Sequence, residues 1–227
     1  MDPAIVARAA RRFAKADPRF ARLIRAVGPL APHVEREDFA NICRIIAGQQ
    51  LSTRAAATIW GRVHALVGEF TPQAVAALPL DALRASGLSG AKARYVAAAA
   101  ARVASGEIDL EAVRELDDAA ATASLRRLAG FGPWSIEMYL IFVLGRPDVF
   151  SPGDGGLRRA IGLLYGERNA TPERSAAIAE RWRPYRSVAC RYLWAWLDAG
   201  TPAIPVAAKT TAHARPRLTP PIGLGPR

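Results

Sequence analysis

Leu125-Arg126-Arg127-Leu128-Ala129-Gly130-Phe131-Gly132-Pro133-Trp134-Ser135 reads as the end of one helix, a very short turn and the start of another. Two glycines one residue apart leave no Cβ at Gly130 and Gly132, and Pro133 suits the first position of a new helix. Backbone N–H groups exposed at such a start, with the positive end of the helix dipole behind them, suit a phosphate. An ordinary αα-hairpin with a glycine cap has the same local pattern, so the surrounding chain must decide.

Outward from this turn the periodicity is helical. Phe39, Ile42, Cys43 and Ile46 make one apolar stripe, and Ile59, Trp60, Val63 and Val67 another. They predict core-facing helices over 37–47 and 53–67 around the polar turn Gly48-Gln49-Gln50-Leu51-Ser52. Thr71-Pro72 and Thr171-Pro172 are start signals, a capping side chain before a proline. Further helices are expected over 91–104, about 118–128, 134–144, 157–165, 172–182 and 185–198. No stretch alternates as a strand should. The expected fold is all-α, with residues 1–200 as one domain and the hairpin at about 118–144. From 201 to 227 prolines recur among small and basic residues, which predicts a disordered tail.

Composition narrows the function. The 227 residues carry 31 Lys and Arg against 20 Asp and Glu, a net +11; removing Lys209, Arg215, Arg217 and Arg227 of the tail leaves +7 on the body. A basic body suits a polyanion such as nucleic acid. Cys43 and Cys190, the two cysteines, each lie in an apolar helical pattern, so neither a disulfide framework nor a four-cysteine cluster can be built. His33, His64 and His213 show no ligand spacing, so neither a cofactor nor a metal is expected from side chains. No apolar run reaches membrane-spanning length and the first residues lack a signal-peptide pattern, so a soluble cytoplasmic protein with no membrane partner is expected.

Four blocks together resemble a family: AGQQLS at 47–52, GLSGAKARY at 87–95, LAGFGPWSIEMYL at 128–140 with DVFSPGDGGLRRA at 148–160, and RPYRSVACRYLWAW at 183–196. They are similar to the helix-hairpin-helix (HhH-GPD) base-excision glycosylases, within these the 3-methyladenine DNA glycosylase II (AlkA-like) branch, in a compact form without the N-terminal β-rich domain of larger members. The resemblance implies a two-lobed helical fold with an inter-lobe cleft. Its implied partner is double-stranded DNA containing alkylated bases; one lesion demands only one pocket, so a monomer is expected.

The resemblance places the catalytic carboxylate at Asp154, in Ser151-Pro152-Gly153-Asp154. A fixed carboxylate can stabilise the positive charge left on the sugar when a glycosidic bond breaks. An aspartate there also suits the cap of the helix expected from Leu157, and the two roles are compatible. Asp148 is read as a turn or capping residue. Trp134 and Trp194 are candidates to stack on a flipped, electron-poor base. Trp194 lies about half a turn from the apolar stripe of its helix, whereas Trp196 belongs to it; packing against a second layer is the other reading of Trp194. The base pocket is further expected to draw on Gln49, Met138 and Tyr139, Met138 standing where relatives often carry tyrosine. By position Gln50 is the wedge entering the gap left by the extruded base, with Leu51 as an apolar aid, although both glutamines also suit a polar turn.

DNA contacts are expected at Gly130, Phe131, Gly132 and Ser135, and at Lys92 and Arg158, which equally suit a solvated charge and a structural partner. Arg186 is read as structural. Hairpin carbonyls could hold a monovalent ion. Strand-nicking relatives carry a lysine where this chain has Trp134, which predicts base excision without lyase cleavage. Two other functions fit the same residues: a non-catalytic helix-hairpin-helix DNA-binding protein, and a glycosylase for oxidised or deaminated bases.

Overall fold

A computed structural model describes residues 1–31, 38–167 and 170–201. Thirteen α-helices occur among them: α1 (Pro3–Ala16), α2 (Pro18–Val27), α3 (Asp38–Gly48), α4 (Thr53–His64), α5 (Pro72–Ala76), α6 (Leu80–Ala85), α7 (Gly90–Ala104), α8 (Leu110–Glu115), α9 (Asp118–Leu125), α10 (Pro133–Met138), α11 (Gly155–Tyr165), α12 (Pro172–Ala179) and α13 (Arg186–Asp198). A π-helical turn, Tyr139–Val143, continues α10, and a 3-10 turn, Glu180–Trp182, continues α12. No strand occurs among the described residues. None of their helices is long and apolar enough to cross a membrane. The segment expected to be a disordered tail lies, but for Thr201, outside the described residues.

Short capping side chains set the helix starts. Asp17 Oδ1 accepts from Arg19 N and Phe20 N ahead of Pro18, and Ser52 Oγ accepts from Ala55 N. Thr71 and Thr171 accept from Ala74 N and Arg174 N, as their Thr-Pro pairs predict. The helix expected over 134–144 is real but not uniform: the Leu144 N–H reaches back to the Tyr139 carbonyl at 3.0 Å, five residues away. This wider turn inserts a residue that no 3.6-residue pattern anticipates.

The buried side chains form two clusters. One joins α3 to α10 with the π-helical turn, around Ile42, Ile46, Leu125, Phe131 and Ile136. The other joins α11 to α13 with the N-terminal pair α1 and α2, around Phe20, Leu157, Trp182 and Leu193. Both ends of the chain thus build the second cluster, α2 packing on α13 and α11. Trp194 packs against both clusters.

Candidate active site

Asp154 is the N-cap of α11, its Oδ1 accepting from Leu157 N at 2.7 Å. Two indoles reach the same carboxylate: Trp134 Nε1 donates to Oδ2 at 2.8 Å, and Trp194 Nε1 donates to Oδ1 at 3.1 Å. Each carboxylate oxygen can accept about two hydrogen bonds. Oδ1 is therefore filled, and Oδ2 keeps one lone pair for chemistry. Gly156 is part of this fit, since a Cβ there would stand 3.0 Å from Oδ1 and 3.5 Å from the Trp194 ring. Asp148, the other carboxylate of the loop, is spent on structure: it accepts from Arg183 Nη1 at 2.8 Å and Arg186 Nε at 2.9 Å.

Asp154 opens onto a cleft of 760 Å3 that also borders the Gly48–Leu51 turn, the start of α7 and the hairpin turn. Trp134 and Tyr95 are its aromatic walls. Tyr95 carries no signal of its own in the sequence, yet it stands three residues after Lys92 on α7 and shares its face. Gly130 packs directly against that ring. Its φ is +73°, and a Cβ built on it would lie 2.1 Å from Tyr95 Cδ2. Gly132, at φ −76°, has open space where its Cβ would be.

Several expected contacts fall elsewhere. Trp194 does not line the cleft; it stands behind Asp154 with its ring tilted on Phe142 at 5.3 Å. Met138 and Tyr139 are not pocket residues but core, 6% and 0% exposed. Helical geometry turns Tyr139 about 100° from Met138, toward the Asp38–Arg114 ion pair, and burial pushes its hydroxyl well above the usual tyrosine range. The Phe131 side chain is likewise core, edge-on to Tyr139. It anchors the hairpin from below and offers no side chain to DNA. Arg158 is one residue past the inward-facing Leu157 and lines a separate depression with Arg159, away from Asp154.

The Gly48–Leu51 turn is tied on two sides. Gln49 Nε2 donates to the Gly130 carbonyl at 2.8 Å and to Ser135 Oγ at 2.9 Å, so Gln49 and Ser135 pin the turn to the hairpin. Lys92 Nζ donates to the carbonyls of Ala47 and Gln49 at 2.9 and 2.6 Å. Burial lowers the Lys92 pKa. Between these ties Gln50 is exposed in the left-handed region at φ +57°, with Leu51 40% exposed beside it. A non-glycine residue held there is strained backbone, and the ties hold it. A hairpin-bound ion would share carbonyls already in use, since those of Leu128 and Gly130 accept from Phe131 N and Gln49 Nε2.

Lys92 is thus a clamp on the turn rather than a free cation, and salt distinguishes the two. Losing a phosphate contact lowers the slope of log K against log salt by about 1. Lys92→Met is expected to weaken binding to abasic duplex while leaving that slope unchanged; a slope lowered by one charge would return Lys92 to the phosphate contacts.

The profile of the "HhH-GPD superfamily base excision DNA repair protein" family matches residues 43–184, a span holding the turn, the hairpin and Asp154. The chain belongs to this superfamily. Among its HhH-GPD relatives is the alkylbase DNA glycosidase-like protein mag2 of Schizosaccharomyces pombe, 28% identical over 82% of this chain and 92% of that one. The DNA-3-methyladenine glycosylase 1 of the same yeast is 29% identical over 78% of this chain and 82% of that one. The solved S. pombe 3-methyladenine DNA glycosylase Mag1 in complex with abasic DNA shares the HhH-GPD fold with a TM-score of 0.78, covering 82% of this chain and 95% of that one. The crystal structure of a DNA-3-methyladenine glycosidase from Bacillus halodurans, 32% identical, gives 0.68 over 83% and 89%.

Proposed function

We propose that the protein is a DNA glycosylase of base excision repair that releases alkylated bases from duplex DNA by hydrolysis, without cleaving the strand. The observation that carries this reading is Asp154, fixed by three N–H donors at the edge of a cleft whose other border is the glycine hairpin. HhH-GPD relatives of nearly the same length are named for alkylbase or 3-methyladenine glycosylases.

In the reaction proposed, the hairpin N–H groups hold backbone phosphate while Gln50 enters the gap in the stack. The flipped base lies against Trp134 and Tyr95, whose electron-rich faces favour a cation. Alkylation at N3 or N7 makes the base a cationic leaving group, so the C1′–N bond electrons leave with it and no protein acid is needed. The sugar becomes an oxocarbenium-like cation, which Asp154 Oδ2 stabilises while water adds to C1′ and loses a proton. Uncharged oxidised or deaminated bases leave less readily from this site, because Asp154 is the one carboxyl group among the cleft's lining residues and none of them is placed to protonate the leaving base.

The hydrolytic reading turns on amines. Lys92 is the one amine among the cleft's lining residues, and both its acceptors are backbone carbonyls of the turn. To form a Schiff base with C1′ it would have to abandon them. The test uses duplexes each carrying one defined lesion, incubated with the protein and then treated with or without alkali. Strand breaks are expected with alkali only, on 3-methyladenine or 7-methylguanine duplexes. Breaks without alkali that vanish in Lys92→Met would replace hydrolysis by amine attack.

A further inference from the structure

Glu137 stands on α10 three residues after Trp134, on the same helix face. Trp134 reaches Asp154. Glu137 reaches the other end of the same turn, its Oε2 accepting from Ser151 Oγ. Ser151 is fully buried, and its carbonyl accepts from Asp154 N at 3.2 Å, closing the four-residue turn that presents the carboxylate. One short helix therefore grips the Ser151–Asp154 turn at both ends. That helix begins at Gly132 and Pro133, the hairpin's phosphate-facing side.

We propose that Glu137 is a positioning residue for base release, holding Ser151, and through it the Asp154 turn, in register with the hairpin. It does not touch the substrate. The inference rests on the glycosylase reading above. Two features separate Glu137 from an incidental surface acid: it is half-buried, and among the described residues it forms no ion pair with a cation. Burial, and then the charge of Asp154, push its pKa up against the opposing pull of the Ser151 hydrogen bond. A half-buried carboxyl without a cation costs stability. The cost is offset here by a hydrogen bond that fixes a loop carrying the reacting oxygen, where a displacement on the order of 1 Å lowers rates about 10²-fold.

The test compares Glu137→Ala, Glu137→Gln, Ser151→Ala and the double variant Ser151→Ala/Glu137→Ala. Their readouts are single-turnover base release from methylated duplex, affinity for abasic duplex, and melting temperature. Glu137→Ala is expected to lower release about 10²-fold while abasic-DNA affinity stays near wild type, because hairpin, wedge and Trp134 are intact. Glu137→Gln keeps an oxygen for Ser151 and restores release. Ser151→Ala should match Glu137→Ala, and the double variant should be no worse than either, since one hydrogen bond cannot be lost twice. Should Glu137→Ala fail to fold, Ser151→Ala against Glu137→Gln carries the same contrast. Wild-type release in Glu137→Ala or Ser151→Ala, additive losses, or a Gln variant as slow as Ala would overturn the proposal, in an assay where Asp154→Asn is slowed. A wild-type protein that releases no base overturns the glycosylase reading itself, and this inference with it.

Discussion

Asp154→Asn is expected to bind abasic duplex as the wild type does and to release methylated bases 10²- to 10³-fold more slowly, about the loss that follows removal of one fixed electrostatic group from a transition state. Asparagine caps helices as well as aspartate, so α11 keeps its start. The amide cannot satisfy all three donors of the site. With its oxygen toward Leu157 N and Trp194 Nε1, its NH2 faces Trp134 Nε1 at a position where the oxygen now stands 2.8 Å away. Two donors then oppose each other, leaving an N–H unsatisfied at a cost of about 1–3 kcal/mol. A lowered melting temperature with unchanged DNA affinity is therefore part of the expected result. Single-turnover release on methylated duplex, run beside a binding titration, separates the two effects. Unchanged release would remove Asp154 from the chemistry. A wild type that binds but never releases would favour the non-catalytic DNA-binding reading.

The site was legible where one residue type serves chemistry and local structure together. Asp154 could be found because the chain shares its loop with the helix-hairpin-helix glycosylases and an aspartate suits the cap it makes there, and Gly130 because two glycines one residue apart mark a very short turn. Trp194 was half legible: its angle around α13 separated it from the core stripe, but not whether it faced the cleft or the back of the carboxylate. Met138 and Tyr139 misled because their expected place rests on the distance from Trp134 in relatives, whereas here both side chains turn into the core. Lys92, Gln49 and Tyr95 acquire their roles from partners between about 35 and 86 residues away in sequence, such as Gln49 with Ser135, and a single sequence does not encode which distant carbonyl a side chain meets. The same holds for the fold. Helix after helix could be read from caps and stripes, yet that α1 and α2 complete the cluster of α11 to α13 depends on long-range packing that amphipathic periodicity leaves open.

The two glycines of the hairpin should fail in different ways, and the difference tests how the turn works. Gly130→Ala asks an L-residue to hold φ +73° and to place Cβ 2.1 Å from Tyr95 Cδ2 and 2.5 Å from its Cγ. The left-handed conformation costs about 1 kcal/mol or more, and displacing a packed ring about 1–3 kcal/mol. The Gly130 carbonyl also accepts from Gln49, so a shifted turn loosens the wedge loop. Melting temperature should fall by roughly 4–16 °C, at about 2–4 °C per kcal/mol for a chain of this size, and binding to damaged and undamaged duplex should weaken together. Gly132→Ala meets no such obstacle, because its backbone is ordinary and its Cβ would enter open space. If that space is where phosphate approaches the N–H groups, Gly132→Ala keeps its melting temperature and loses DNA affinity alone. Tyr95→Ala added to Gly130→Ala should recover only the packing share of the stability loss, leaving the backbone share. An unaltered melting temperature in Gly130→Ala would mean that the ring yields freely and that Gly130 is no fixed point of the site. Normal DNA affinity in Gly132→Ala would move the phosphate off the hairpin.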